Sequence, residues 1–205
     1  MSNEVNNKVD IDPKYIIKLT VTLFLTCMVV AGVLGWVNSI TKDKIAAITW
    51  EKTVTAMKEV ISADDFSDAM DLTDDMTAAA TAQGGTLAAV YQAQSGGQPI
   101  GYAINVESSG SQGTISMMVG IDMDGAVTGV SIVTNSETSG IGSKVMGNEP
   151  LTNGTGVLDQ FIGKSAADGT LSVGSNVDAI TGATVSTKGV TTGVNAALAV
   201  AGVIG

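Results

Sequence analysis

From Leu19 to Thr41 the chain runs for 23 residues without a charge, and eleven of these are Leu, Ile, Val or Phe. As an α-helix at about 1.5 Å per residue, such a run is roughly 35 Å long and long enough to cross a hydrocarbon core of about 30 Å. Each of those apolar side chains favours insertion by about 0.3–0.6 kcal/mol at mid-membrane. Trp36 stands near one end, where an amphipathic ring suits the headgroup region. Buried core helices this long and this apolar are uncommon. A cleaved signal peptide fits less well, because the run exceeds a typical h-region and no A-x-A site closes it. The run therefore predicts a single-pass membrane anchor over residues 19–41, with an N-terminal tail over 1–18. Lys8, Lys14 and Lys18 precede it and Lys42, Lys44 and Lys52 follow, so the lysine count alone does not orient it. Lys14 and Lys18, tight against the run, lean towards a cytoplasmic N-terminus.

Behind the anchor the charge balance changes sign. Residues 1–44 carry a net +1, whereas residues 45–205 hold five lysines against sixteen acids, a net −11. The chain of 205 residues has no Arg and no His, and its lone Cys27 lies inside the apolar run. No Ser-His-Asp triad, no His-liganded metal site and no internal disulfide can be built from this set. Nucleic acid is excluded as a partner on charge, since neutralising phosphates needs basic surface. No catalytic acid, base or nucleophile for a soluble substrate and no metal site is expected, so redox or group-transfer chemistry must rest on carboxylates, hydroxyls and amines, or on a bound organic cofactor.

Ile45, Ile48, Val54, Met57, Val60 and Ile61 share a helical face, which predicts a helix continuing to about Ser62. Asp64, Asp65, Asp68, Asp71, Asp74 and Asp75 then place six carboxylates in twelve positions, read as a solvated, mobile or weakly helical stretch. Residues 42–85 are accordingly expected to form a helical and acidic connector. From Thr86 the period becomes two: Leu87, Ala89 and Tyr91; Tyr102, Ile104 and Val106; Ile115, Met117, Val119 and Ile121; then Val130 and Ile132. Ser95-Gly96-Gly97 and Asp122-Met123-Asp124-Gly125 read as turns, so the four strands predict an antiparallel meander. A Gly-rich loop over 135–150, a short helix near Val157–Ile162 and an amphipathic helix from Thr184 complete the chain.

Asp178-Ala179-Ile180-Thr181-Gly182-Ala183-Thr184 leads into that last helix. Thr184 stands where an N-cap belongs, beside the free N–H groups of Val185, Ser186 and Thr187. Two readings stay open there. The hydroxyl caps the helix, or the helix start offers a phosphate site whose approach Gly182 and Ala183 leave clear. Lys188, one turn on, either faces that site or is simply solvated.

The pattern D-x-x-[ST]-G-A-T, met here by Asp178, Thr181, Gly182, Ala183 and Thr184, resembles the flavinylation motif of the FMN-binding domain family. That family includes the G subunit of the Rnf electron-transport complex and the C subunit of the sodium-pumping NADH:quinone oxidoreductase. A second match is E-T-x-G-x-G-x-K at Glu137, Thr138, Gly140, Gly142 and Lys144, with Ser139 where the family usually has Pro. The order of anchor, soluble domain and motif helix agrees as well, and the Rnf protein is the nearer likeness. The resemblance implies an α+β fold: a curved antiparallel sheet with flanking helices, forming an FMN-binding domain over 86–205. It implies FMN joined by a phosphodiester to Thr184 by a flavin transferase, with Asp178, Thr181, Gly182, Ala183, Val185, Ser186, Glu137, Thr138, Gly140 and Lys144 around it. The implied role is a one-electron relay in an ion-translocating ferredoxin:NAD⁺ oxidoreductase. Its partners would be the other subunits of a membrane complex, and its soluble domain would lie outside the cytoplasm on the cell (inner) membrane. Two other classes stay open: a stand-alone extracytoplasmic flavin protein and a non-catalytic membrane-anchored surface protein.

Overall fold

The computed structural model describes residues 13–204. Of the N-terminal tail expected over 1–18, residues 1–12, Lys8 among them, lie outside the described residues, as does Gly205. Helix α1 runs unbroken for 48 residues from Pro13, the first described residue, to Val60. The chain divides into two units after Ile48. In the first unit α1 exposes Leu23, Phe24, Val29, Leu34 and Trp36. It is long and apolar enough to cross a membrane. The hydroxyls of Thr20, Thr22 and Thr26 donate to carbonyls one turn earlier, which satisfies these polar groups within the helix itself.

The second unit is an α+β domain built on a five-stranded antiparallel sheet. Its strands, β1 (Asp65–Phe66), β2 (Thr86–Ser95), β3 (Gln98–Ser109), β4 (Thr114–Asp122) and β5 (Val127–Asn135), lie side by side in chain order. The expected meander is present, with a two-residue strand added at its β2 edge. The added strand belongs to the acidic stretch, which is more ordered than its composition suggests. The Asp64 carboxylate accepts the Ser95 hydroxyl at 2.7 Å and the Gly96 N–H at 3.0 Å, tying the stretch to the β2–β3 turn. Thr73 then caps helix α2 (Asp74–Ala82), and Asp74 and Asp75 sit at the positive end of its dipole.

Both faces of the sheet are covered. Ile104, Val106, Ile115, Met117, Val119 and Ile121 point to one side and pack under α2 and helix α4 (Thr184–Ile204), which contributes Val190, Val194 and Ala197. Burying a side chain of this size stabilises by about 1.5–3 kcal/mol, so this layer is the main core. On the other side Ala93, Ala103 and Met118 meet Ala56, Met57 and Val60 from the last turns of α1. Strand β2 departs from the expected alternation. A register shift between Leu87 and Ala89 leaves Leu87 and Val90 in the main core and turns Tyr91 to the α1 side.

The end of α1 seats on the sheet because β4 and β5 present paired glycines there, Gly120 opposite Gly129. A Cβ at Gly120 would collide with the Val60 carbonyl oxygen, and one at Gly129 would lie 2.9 Å from the Val60 Cα. Thr128 between them donates its hydroxyl to that same carbonyl at 2.6 Å. Beyond β5 the Gly-rich loop contains a short helix, α3 (Gly142–Met146). The helix expected near Val157–Ile162 is a single 3-10 turn, Asp159–Phe161, pinned by the fully buried ring of Phe161.

Candidate functional site

Three segments far apart in sequence converge at one end of the sheet: the β3–β4 turn, the chain leaving β5, and the start of α4. Residues Ser111 and Gln112 from the first, Glu137, Thr138, Ile141 and Gly142 from the second, and Gly182, Ala183, Val185 and Ser186 from the third line a cavity of about 230 Å³. One carboxylate holds the three walls together. Glu137 Oε1 accepts the Ser111 and Gln112 N–H groups at 2.6 and 3.3 Å, and its Oε2 accepts the Ser186 hydroxyl at 2.6 Å. Hydrogen bonds to a charged acceptor of this kind contribute about 1.5–3 kcal/mol each.

The start of α4 differs by one residue from the sequence expectation. The Ala183 carbonyl accepts the Thr187 N–H at 2.9 Å, so Ala183 is the capping residue and Thr184 is the first residue inside the helix. Ala183 has no side-chain oxygen to offer. Among the described residues the N–H groups of Thr184, Val185 and Ser186 have no hydrogen-bond partner, and the Thr184 hydroxyl forms none either. This leaves an uncapped helix start, with its share of the macrodipole, beside the cavity. Thr184 itself is exposed. Just before it, Gly182 takes φ +84°, a left-handed conformation that turns the chain into the helix and that a Cβ would strain.

The sequence-predicted residues separate into two groups. Glu137, Thr138, Gly182, Ala183, Val185 and Ser186 line the cavity, with Thr184 between two of them. Asp178, Thr181, Gly140 and Lys144 do not line it. Gly140 donates its N–H to Ser143 Oγ at 2.8 Å, and Lys144 is an exposed residue of α3. Lys188 is exposed as well. Sequence reasoning missed Ser111, Gln112 and Ile141. The first two lie in the polar turn Gly110-Ser111-Gln112-Gly113, which has no signal beyond that of a turn. Ile141 and Val185 are unusual for their exposure, 52% and 56%, and give the cavity an apolar rim. Among the described residues no group of three acids or cysteines stands close enough together to hold a metal ion.

The arrangement combines an exposed threonine, N–H donors at a helix start without a partner among the described residues, an apolar rim and polar groups from Ser111, Gln112, Glu137, Thr138 and Ser186. That combination suits an anionic group joined to an apolar body. Comparison with known proteins agrees. The FMN-binding domain model matches residues 110–199, which contain every wall of the cavity. The G subunit of the Na⁺-translocating ferredoxin:NAD⁺ oxidoreductase complex of Acetobacterium woodii is 35% identical over 96% of this chain and 97% of its own length. The G subunit of the ion-translocating oxidoreductase complex of Methanosarcina acetivorans is 30% identical over 91% of this chain and 95% of its own. A counterpart from the proton-translocating ferredoxin:NAD⁺ oxidoreductase complex of Clostridium ljungdahlii is 36% identical over 53% of the chain and 57% of its own length.

Proposed function

Because the chain belongs to the family of G subunits of ion-translocating oxidoreductase (Rnf) complexes, we propose that it is a membrane-anchored relay carrying FMN covalently on Thr184. The observation that carries this reading is the position of Thr184: exposed, at the uncapped start of α4, next to the cavity. In the attachment step, Thr184 Oγ1 bonds to the phosphorus of the FMN moiety of FAD. The pyrophosphate P–O bond breaks, AMP leaves, and the hydroxyl proton goes with the leaving phosphate or to water. A flavin transferase supplies the catalysis.

The chain's own residues would then bind and orient. The N–H groups of Thr184, Val185 and Ser186 offer unpaired donors to a phosphate oxygen, a stabilising arrangement at a helix start. Ile141 and Val185 present apolar surface to the ring system, and Thr138, Ser111 and Gln112 present polar groups. Glu137 keeps the walls together. FMN, when bound, supplies the one-electron redox chemistry. A covalent bond prevents loss by dilution, which matters if the domain faces the outside of the cell, as this reading has it. Electrons would pass between the flavin and other subunits of the membrane complex.

Intact-mass measurement of the denatured chain from its native host tests the assignment. An FMN adduct is expected on the wild-type chain and none on Thr184→Val. An adduct retained on Thr184→Val would overturn the assignment.

A further inference from the structure

The segment that delivers Thr184 to the surface, residues 178–183, belongs to no strand or helix. Its ends are anchored by apolar burial, Val177 and Ala183 each being 2% exposed, and Ile180 packs against the core between them. Among the described residues its main chain before Ala183 is hydrogen-bonded to the rest of the fold at one residue only. Gln160 Oε1 accepts the Asp178 N–H at 2.7 Å, and Gln160 Nε2 donates to the Asp178 carbonyl at 3.0 Å. The same Nε2 donates to the Val157 carbonyl at 2.8 Å, so the amide has a single orientation that satisfies all three partners. Among the described residues no other hydrogen bond joins the main chain of residues 178–182 to another part of the protein. Gln160 is itself rigidly placed, on the 3-10 turn that the buried Phe161 fixes in the core. Its side-chain amide thus does for Asp178 what a neighbouring strand would do, pairing with both main-chain groups.

We propose that Gln160 is the positioning residue that presents the Asp178–Thr184 segment to the enzyme that attaches the flavin. This proposal rests on the Thr184 reading above. A modifying enzyme must receive this segment in one conformation, and conformational entropy opposes that. Two hydrogen bonds from a fixed turn remove part of that freedom in advance. Asp178, the first residue of the motif, is kept exposed with its main chain immobilised. Without Gln160 the segment keeps its chemistry and loses its preset shape.

The test uses the full-length chain in detergent, made without flavin transferase, and purified transferase with FAD. Initial rates give kcat and KM for the chain and for FAD separately. Gln160→Met keeps the length of the side chain and removes the amide, whereas Gln160→Asn keeps an amide and draws it back by one carbon. Both should lower kcat/KM for the chain about tenfold, on the scale of losing two net hydrogen bonds, with KM for FAD unchanged. Asn195→Ala is the control, because Asn195 clamps the main chain of Leu171 in the same two-bond way, away from Thr184. It should cost stability and leave the transfer kinetics as they are. Transfer at the wild-type rate in both Gln160 variants would overturn the proposal. So would failure of both to fold, which would make Gln160 a residue of the fold alone. If the wild-type chain accepts no FMN at all, the Thr184 reading falls first and this one with it.

Discussion

Thr184 is exposed and among the described residues its hydroxyl makes no hydrogen bond, while the carbonyl before it starts the helix. A threonine that merely caps would have used its oxygen on an N–H two or three residues later, and its loss would cost about 1 kcal/mol of stability. Thr184→Val should therefore change the melting temperature little while abolishing the adduct, and calorimetry of the chain made without flavin separates these two effects. The loop residues divide in the same way. Thr138 lines the cavity and Lys144 does not. Thr138→Val should leave FMN attached and shift its redox potential. Lys144→Ala should shift it less, because exposed charges are screened over about 8–10 Å. Spectroelectrochemical titration of both variants decides the order, and an equal or larger shift for Lys144→Ala would contradict it. The −11 balance of residues 45–205 acts on the flavin only through the same screening.

Among the elements, the contact most sensitive to a single atom is the seat of α1 on the β4–β5 glycine pair. Gly120→Ala puts a methyl group into the Val60 carbonyl, and Thr128 leaves no room to move aside. The expected cost is about 1–3 kcal/mol. It should appear as faster proteolysis near residue 61 of the detergent-solubilised chain, with flavin attachment intact. At the opposite sheet edge, β1 is held by Asp64. Its carboxyl is held below the ordinary carboxylate range by the Ser95 hydroxyl, first, and then by the Gly96 N–H. A folded-state value below the unfolded one means that the ionised form is favoured by folding. The stabilisation is therefore present above the unfolded pKa near 3.8 and is lost as pH falls through the folded value. The stability gap between wild type and Asp64→Asn should be small, because the group is fully exposed, and should close in acid. A gap that widens in acid would reverse the sign and refute this account.

For the molecule as a whole the proposed function puts the domain outside the cytoplasm. Protease added to intact spheroplasts should trim the chain after about Thr41 and digest the −11 domain. Protection until the membrane is broken would put the domain in the cytoplasm. Membership of an Rnf complex is read separately, by purification of the tagged chain from its host. Co-purifying multi-span subunits are expected, and isolation of the flavinylated chain by itself would favour the stand-alone flavin protein.

What the sequence determined by itself is whatever physics writes locally. An uncharged run long enough for a bilayer, apolar side chains at period two in β3 and β4, and apolar residues at helical spacing in α4 each announce their element without help from elsewhere. The motif from Asp178 to Thr184 is also contiguous, so the exposed threonine at the start of α4 could be singled out from the sequence. Most of the cavity lining followed from it and from the Glu137 loop. Tertiary structure decided the rest, where partners are distant and the residue types carry no pattern. Glu137 finds Ser186 49 positions away, and Gln160 finds Asp178 18 positions away. Nothing in a Ser, a Gln or a polar turn at 110–113 signals such a pairing. The same holds for the glycines at 120 and 129, which read as gaps in two strands until the end of α1 fills them. Hydrophobic periodicity chooses elements because it is a property of neighbours along the chain. Which hydroxyl is left exposed, and which amide holds its loop, depends on how those elements close on one another.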